Sequence, residues 1–339
     1  MKKLVRFWIV LTSVALTAAA QAPRFTVAKR FIVSGNGSFD YIVFEGSSNR
    51  LYVSHGTEVN VVDADSGKEI GKIEDTPGVH GIAIVPKLHR GFVTNGGNAT
   101  VSVFDTDSFK TIKKISVPAG PDFVFYDSQT NQVLVCHGAA AEISAIDPDA
   151  ETLIGKIDLG SGAEDAVVNA KGTGFVNLRE SAMVATFDPR DLTLRQKWPI
   201  VGCKTPTGLA LDDPNSRLFI VCRSKVLVVM DSNSGKVITA LPIGEKVDGV
   251  AFDPDTRLIF ASNGDDGTIS VVRQKSANEY ESLPDIETQK SAKTMAFDPK
   301  SKRIFLSAAE MQLTPASDGQ SPSAKPKPGT FRVLVVERQ

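Results

Sequence analysis

Short runs of apolar residues, many of them β-branched, alternate with polar turns along almost the whole chain. Examples are Val59-Asn60-Val61-Val62, Val101-Ser102-Val103-Phe104 and Val226-Leu227-Val228-Val229. Runs of this length and composition are typical of β-strands. After residue 20 no stretch has the 3.6-residue periodicity of a helix. The pattern therefore predicts an all-β protein.

The runs recur in units of similar length. The second run of each unit carries a large apolar residue, and successive examples are 40 to 45 residues apart: Tyr52, Phe92, Leu134, Phe175, Phe219, Phe260 and Phe305. A period of about 40 residues with four short strands per unit is typical of propeller blades. Seven units therefore predict a seven-bladed β-propeller with four-stranded blades.

The last unit is incomplete by itself. Residues 331–339 supply its third strand, after which the chain ends, and residues 25–33 form a surplus strand at the other end. We predict that this N-terminal strand completes the last blade, because closure removes the exposed strand edges of an open array. Residues 21–339 are then a single domain.

The first twenty residues have a different character. A basic start with Lys2, Lys3 and Arg6 precedes an apolar segment and Ala18-Ala19-Ala20. This pattern predicts a signal peptide over residues 1–20, too short for a stable membrane span. No Cys follows it that would carry a lipid anchor. We therefore expect a periplasmic or secreted protein whose mature chain has no membrane span.

Composition narrows the classes of partner. Hydrophobic residues make up 42% and charged residues 23%, as in soluble globular proteins. Without residues 1–20 the chain keeps 35 basic and 39 acidic residues, a net charge of −4. A nucleic-acid partner usually requires a basic face, so none is expected. We expect a monomer with a small ligand or a protein as its partner.

Two repeats carry a family resemblance. Leu51-Tyr52-Val53-Ser54-His55-Gly56 and Gly91-Phe92-Val93-Thr94-Asn95-Gly96, with the third strand Val101-Ser102-Val103-Phe104-Asp105, resemble the YVTN repeat. Residues 25–339 as a whole are similar to the exported bacterial YncE-like propellers. The resemblance implies a seven-bladed propeller, and it leaves the function open because many such proteins have no assigned role. WD40 repeats are less similar, since no Gly-His…Trp-Asp pair is present.

The repeat predicts where chemistry can occur. The first strand of a propeller blade lines the central channel, so residues that begin the first strands should meet at one end of it. These residues are Asp40, His80, Asp122, Asp165, Thr207, Asp248 and Lys293. Residues that end the second strands should open on the same face: His55, Asn95, His137, Arg179, Arg223 and Asn263. Together they predict a polar funnel, although aspartates are also common as turn caps.

Two chemistries suit this funnel. His80, Asp122 and Asp165 could hold a divalent metal ion such as Zn²⁺ or Mn²⁺. Alternatively, the acidic ring with Lys293 and Arg223 could bind a small polar molecule. His89 falls on the opposite face and is assigned no role.

Two functions remain open on the sequence. The first is an exported binding or interaction scaffold, because the funnel lacks a recognisable nucleophile. The second is a metal-assisted lactone hydrolase or lyase, with His80 or His137 as the general base. This alternative rests on analogy with other propellers of similar architecture.

Two further features are open to more than one interpretation. Cys203 and Cys222 project toward the funnel face of one blade, either as a disulfide or as two buried thiols. Residues 310–330 are rich in Pro, Ser and Lys, which predicts a flexible loop inserted in the last blade. This loop could serve as a lid or as a docking segment.

Overall fold

Seven four-stranded antiparallel sheets surround a central channel in a computed structural model that describes residues 24–314 and 323–339. The segment predicted to be a signal peptide, residues 1–20, lies outside the described residues. Helix in the described ranges is limited to one 3₁₀ turn, Pro86–Leu88, and no helix there is long and apolar enough to cross a membrane. The predicted all-β, seven-bladed architecture is confirmed.

The first and second strands form the inner half of each blade. The first strands, in order around the ring, are β2 (Phe39–Glu45), β6 (Val79–Val85), β10 (Pro121–Asp127), β14 (Ala163–Val168), β18 (Pro206–Asp212), β22 (Val247–Asp253) and β26 (Met295–Phe297). The second strands are β3 (Arg50–His55), β7 (Arg90–Asn95), β11 (Gln132–His137), β15 (Gly174–Leu178), β19 (Arg217–Cys222), β23 (Leu258–Asn263) and β27 (Ile304–Ala308).

The third and fourth strands form the outer half. The third strands are β4 (Glu58–Asp63), β8 (Thr100–Asp105), β12 (Glu142–Asp147), β16 (Met183–Asp188), β20 (Val226–Asp231), β24 (Thr268–Ser276) and β30 (Arg332–Arg338). The fourth strands are β5 (Glu69–Ile73), β9 (Thr111–Ser116), β13 (Thr152–Asp158), β17 (Thr193–Pro199), β21 (Val237–Pro242), β25 (Glu279–Glu287) and β1 (Phe25–Ile32).

The N-terminal strand closes the ring as predicted. β1 pairs antiparallel with β30, so blade 7 has the strand order β1-β30-β27-β26. Each first strand contacts the first strands of the two neighbouring blades, including β26 against β2. The ring is therefore continuous across the junction between blade 7 and blade 1.

The core lies between blades. Seven apolar clusters each join two neighbouring blades, and the large second-strand residues that reveal the repeat lie within them. Phe92 and Phe219, for example, are fully buried. Burying such a side chain is worth about 1.5–3 kcal/mol. The periodicity of the sequence is thus the periodicity of this core.

The insertion in blade 7 contains a small sheet. β28 (Met311–Thr314) pairs antiparallel with β29 (Ser323–Pro326) between β27 and β30. The sequence predicted a flexible loop over residues 310–330, and its two described ends form this hairpin.

Candidate functional site

A β-bulge near the beginning of the first strand turns side chains into the channel. In blade 1 the strand pairing shifts between Phe39 and Ile42, and blades 2 to 6 have a shift at the same place. A bulge carries an extra residue and re-aims the side chains beside it. Successive residues, such as Asp40 and Tyr41, consequently line the same cavity.

The strand pairing identifies one equivalent position at this bulge in each of blades 1 to 6, and in blade 7 Lys293 precedes the first strand by two residues. We call these residues the mouth ring: Asp40, His80, Asp122, Glu164, Thr207, Asp248 and Lys293. Six of the seven match the sequence prediction. In blade 4 the structure corrects it, because Ala163 pairs with Leu178 and thereby assigns Glu164 to the ring. Asp165 lies one residue deeper.

Ion pairs link neighbouring blades around the mouth ring. Lys293 Nζ lies 2.7 Å from Asp248 Oδ2 and 3.2 Å from Asp40 Oδ1. His80 Nδ1 lies 2.7 Å from Asp40 Oδ2 and 3.6 Å from Asp122 Oδ1. Carboxyl groups therefore alternate with Lys293 and His80 in the order of blades 6, 7, 1, 2 and 3.

Two arginines extend the mouth ring from the ends of the second strands. Arg223 donates to Asp248 Oδ1 at 2.6 Å, and Arg179 donates to Glu164 Oε2 at 2.8 Å. Both arginines follow directly after the last residue of a second strand, where the other blades often have glycine. They enclose a cavity of about 190 Å³ together with the ring residues other than Thr207, which is buried and donates to the Val247 carbonyl oxygen.

Burial and neighbouring charges shift the pKa values of the mouth-ring residues and determine which of them are charged. Burial disfavours the charge on Lys293, but Asp40 and Asp248 outweigh it and raise its pKa. Burial likewise opposes ionisation of Asp40, yet Lys293 and His80 lower the pKa of that carboxyl. The hydrogen bond to Asp40 raises the pKa of His80. Asp40 and Lys293 are consequently an ionised pair at neutral pH.

Two other ring carboxyls hold protons more tightly. Burial, followed by the charge of Asp40, raises the pKa of Asp122 to about 6. Burial, followed by the charge of Asp122, raises the pKa of Glu164 to about 8 in spite of Arg179. Glu164 is thus mostly protonated at pH 7, and Asp122 is mostly ionised.

Three ring residues converge closely enough to share a cation. Asp40, His80 and Asp122 each offer one donor atom, and these atoms lie within 4.8 Å of one another. Asp122 Oδ1 is buried and has no hydrogen-bond partner among the described residues. A Cβ at Gly96 would lie 2.8 Å from His80 Nε2, so a larger residue there would displace the imidazole. Asp165, the third predicted metal ligand, is not part of this cluster.

The predicted second-strand histidines do not join the cavity. His55 is 1% exposed, its ring stacks on Phe331 with centroids 3.9 Å apart, and its Nδ1 lies 3.2 Å from the Ser34 carbonyl oxygen. His137 is fully buried, and neither ring nitrogen has a hydrogen-bond partner among the described residues. Burial lowers the pKa of both rings. They lie one strand away from the channel, enclosed by the blades.

The predicted asparagines are also structural. Asn95 donates to the hydroxyls of Thr100 and Ser102, each at 2.9 Å. Asn263 donates to Thr268 at 3.0 Å and, likewise within its own blade, to Ser270 at 2.9 Å. Both side chains tie the second strand to the third and point away from the channel.

Three lining residues escaped the sequence prediction of site residues: Tyr41, Glu164 and Thr294. Glu164 could have been found by counting both strands of blade 4 from their shared hairpin turn, and Arg179 lines the cavity as the sequence predicted. Tyr41 and Thr294 each follow a ring residue directly, and the bulge in blade 1 turns Tyr41 inward.

A disulfide adjoins the mouth ring. Cys203 and Cys222 are bonded, with 5.6 Å between their Cα atoms, whereas Cys136 is buried and free. Of the two interpretations left by the sequence, the disulfide is the correct one. It ties the loop before β18 to the end of β19, immediately before Arg223.

The comparisons with known proteins identify the fold of this chain. No protein-family model matches the chain, and no curated protein matches it. The structure is similar to a hydrazine synthase chain from Kuenenia stuttgartiensis, with 16% identity, a TM-score of 0.71, and coverage of 81% of this chain and 94% of that chain. It is also similar to a chain of the mitotic checkpoint complex, with 14% identity, a TM-score of 0.71, and coverage of 97% of this chain and 100% of that chain.

The WD40 repeats of RRP9 are similar as well, with 9% identity, a TM-score of 0.78, and coverage of 94% of this chain and 99% of that chain. These are seven-bladed propellers, and at such identities the likeness concerns the fold alone. The narrower resemblance to the YVTN and YncE-like family has no family match behind it.

Proposed function

We propose that this propeller is an exported binding scaffold that holds a divalent metal ion, such as Zn²⁺ or Mn²⁺, between Asp40, His80 and Asp122. The observation that carries the proposal is the convergence of their donor atoms within 4.8 Å at the open end of the channel. The predicted signal peptide and the Cys203–Cys222 disulfide support export, because disulfides persist in oxidising compartments.

The donor set suits such an ion. One imidazole nitrogen with two carboxylate oxygens is a common ligand set for Zn²⁺ and Mn²⁺, and three protein ligands leave a coordination position open. Asp122 Oδ1 has no hydrogen-bond partner in the part of the chain that the structure describes, and the His80 side chain is 38% exposed, so an ion can reach the imidazole. Lys293 and Arg223 would face the anionic part of a small ligand bound at the open position.

Metal binding should depend on pH. The ion would replace the proton that lies between His80 Nδ1 and Asp40 Oδ2, 2.7 Å apart. The pKa of His80 is raised by that hydrogen bond, and burial raises the pKa of Asp122 to about 6. Affinity should therefore fall as the pH is lowered from 8 to 5, because protons compete for both donors.

The test uses the mature chain with Zn²⁺, Mn²⁺ or Mg²⁺, followed by thermal unfolding and elemental analysis. A hundredfold excess over Kd should stabilise the fold by about 2.7 kcal/mol. His80→Ala and Asp122→Ala should each abolish that gain. His89→Ala is the matched control, because His89 forms a comparable pair with Asp107, at 3.0 Å, outside the mouth ring.

Two outcomes contradict the proposal. The first is that no ion stabilises the wild-type chain and none copurifies with it. The second is a stabilisation that survives Asp122→Ala.

One observation favours a second candidate, a lactone hydrolase or lyase. Asp40 orients the His80 imidazole at 2.7 Å, as the third group of a catalytic arrangement orients a general base. His137, the other candidate base, is buried away from the cavity. A panel of lactones assayed with wild-type and His80→Gln protein tests this alternative, and turnover that is equal in both would exclude His80 as the base.

The fold also suits protein partners. A β-propeller is a typical interaction platform, and one similar structure is a chain of the mitotic checkpoint complex. We propose a monomer that binds its partner through the face around the mouth ring. Light scattering of the purified mature chain measures its oligomeric state.

A further inference from the structure

The hairpin of β28 and β29 has one apolar and one polar face. Met311 pairs with Pro326 and Leu313 with Ala324, and cross-strand partners share a face. Gln312 and Lys325 form the intervening pair and therefore lie on the opposite face. The division predicts that something covers the apolar side.

A groove of about 680 Å³ runs beside this apolar face. Met311, Ala324 and Pro326 form one wall, and loops of blades 6 and 7 form the other. Phe39 and Lys293 also line the groove, so it adjoins the mouth ring. Its volume is that of a site for a small organic molecule, whereas the cavity at the mouth ring holds about 190 Å³.

The apolar wall is left open to solvent. Met311, which lines the groove, is 44% exposed, and Leu313, which lies on the same face of the hairpin beyond the groove, is 78% exposed. A two-stranded hairpin is marginally stable unless its apolar face packs against something. Within the described ranges, β28 and β29 pair only with each other. A ligand in the groove would supply the missing apolar contact.

The opposite wall offers a cation. Lys293 is engaged by Asp40 and Asp248, and Lys246 lies 3.3 Å from Asp265. Lys290 is exposed, and no carboxylate of the described residues lies within ion-pair distance of it. Of the acids that line the groove, Glu245 and Asp265 have lysine partners, and Asp266 accepts a backbone amide at 2.7 Å. Lys290 is therefore the groove lysine that is available to an anionic group.

We propose that the groove binds a soluble amphipathic organic anion, with its apolar body against Met311 and Pro326 and its carboxylate, sulfonate or phosphate group at Lys290. This ligand class combines the two features that the groove leaves unsatisfied. The groove is separate from the metal cluster, so either proposal can be disproved while the other holds.

The probe is 8-anilinonaphthalene-1-sulfonate, an apolar ring system with a single anion, titrated by fluorescence into the mature protein. We expect saturable binding of one probe per chain, and decanoate should displace it. Met311→Asp should weaken binding about tenfold or more, because it removes one large apolar contact. Lys290→Glu should weaken it about fivefold, as for a surface ion pair.

The controls lie on the other face of the same hairpin. Gln312→Asp adds the same charge one residue from Met311, and Lys325→Glu makes the same reversal as Lys290→Glu. Both should bind the probe within about twofold of wild type. All four variants should keep the metal response of the wild-type chain, which separates this proposal from the one above.

Three results would overturn the proposal. Saturable binding of the probe could be absent, or the control variants could lose as much affinity as the groove variants. The third is Met311-dependent sedimentation with anionic phospholipid vesicles, which would identify a membrane surface in place of a soluble ligand.

Discussion

At the scale of single residues, burial makes the Asp165 carboxyl harder to ionise. Its two carboxyl oxygens accept the amides of Leu209, at 2.9 Å, and of Ala166, at 2.8 Å. Burial nevertheless raises the pKa of Asp165 from 3.8 to about 7, and the backbone hydrogen bonds only partly oppose it. The folded chain therefore binds this proton more tightly than the unfolded chain does.

Asp165→Asn should change how stability depends on pH. A carboxyl with a raised pKa stabilises the fold below pH 4 and loses that contribution as the pH rises through 7. The Asn variant keeps the shape without the titration. Its free energy of unfolding relative to wild type should rise from pH 4 to a plateau above pH 7, by up to about 4 kcal/mol. Urea unfolding at pH 4, 6 and 8 measures the difference, and a difference that stays constant with pH would refute the assignment.

At the scale of elements, bulges adapt the blades at their inner and outer strands. The bulge in the first strand of blades 1 to 6 turns mouth-ring residues inward. In all seven blades the pairing of third and fourth strands shifts as well, and the bulged residues there include Ile70, Ile112 and Ile154. Bulges increase local twist and make a strand edge a poor template for another chain. The outer rim is thus protected against edge pairing.

The disulfide acts at the same scale, since it joins a loop to a strand. Its cysteines are 19 residues apart, and closing a loop of that length contributes about 3 kcal/mol. The double variant Cys203→Ala, Cys222→Ala should lose about that much free energy of unfolding in urea. Reductant should destabilise the wild-type chain by a similar amount and leave the double variant unchanged, and equal stability of oxidised and reduced wild type would disprove the contribution.

At the scale of the whole molecule, one strand pairing closes the ring. β1 pairs with β30 across the full length of the chain, from Phe25 with Arg338 to Ile32 with Arg332. Phe31 and Val33 also belong to the apolar cluster between blades 7 and 1. Every blade depends on its two neighbours for a core, so loss of the closing strand weakens the entire ring.

Deletion of residues 24–33 should therefore lower the thermal midpoint of the whole protein, by a larger amount than any single side-chain change. Calorimetry measures the midpoint and the unfolding enthalpy. Replacing residues 311–326 by two glycines is the control, because that hairpin contributes nothing to the clusters between blades. A truncated chain that unfolds at the wild-type midpoint would show that closure is dispensable.

The candidate site could be predicted only in part. Asp40, His80, Asp122, Asp248 and Lys293 come together as the repeat period implied, because equivalent positions of successive blades face one channel. In blade 4 the prediction named Asp165, one residue after the ring residue Glu164. The two acids are adjacent in the chain, and the sequence does not show which of them the bulge turns into the ring.

The sequence by itself determined the number of blades, the four-stranded pattern and the closing strand, because each follows from hydrophobic periodicity that is local to the chain. Only the tertiary structure decided which polar side chains meet. His55 and His137 are the last residues of their second strands and are enclosed by the blades. Arg179 and Arg223 stand one position later in their own blades, directly after the second strand, and reach the cavity. A shift of one residue reverses the direction of a side chain on a strand, and that shift is set by pairing with a neighbouring strand.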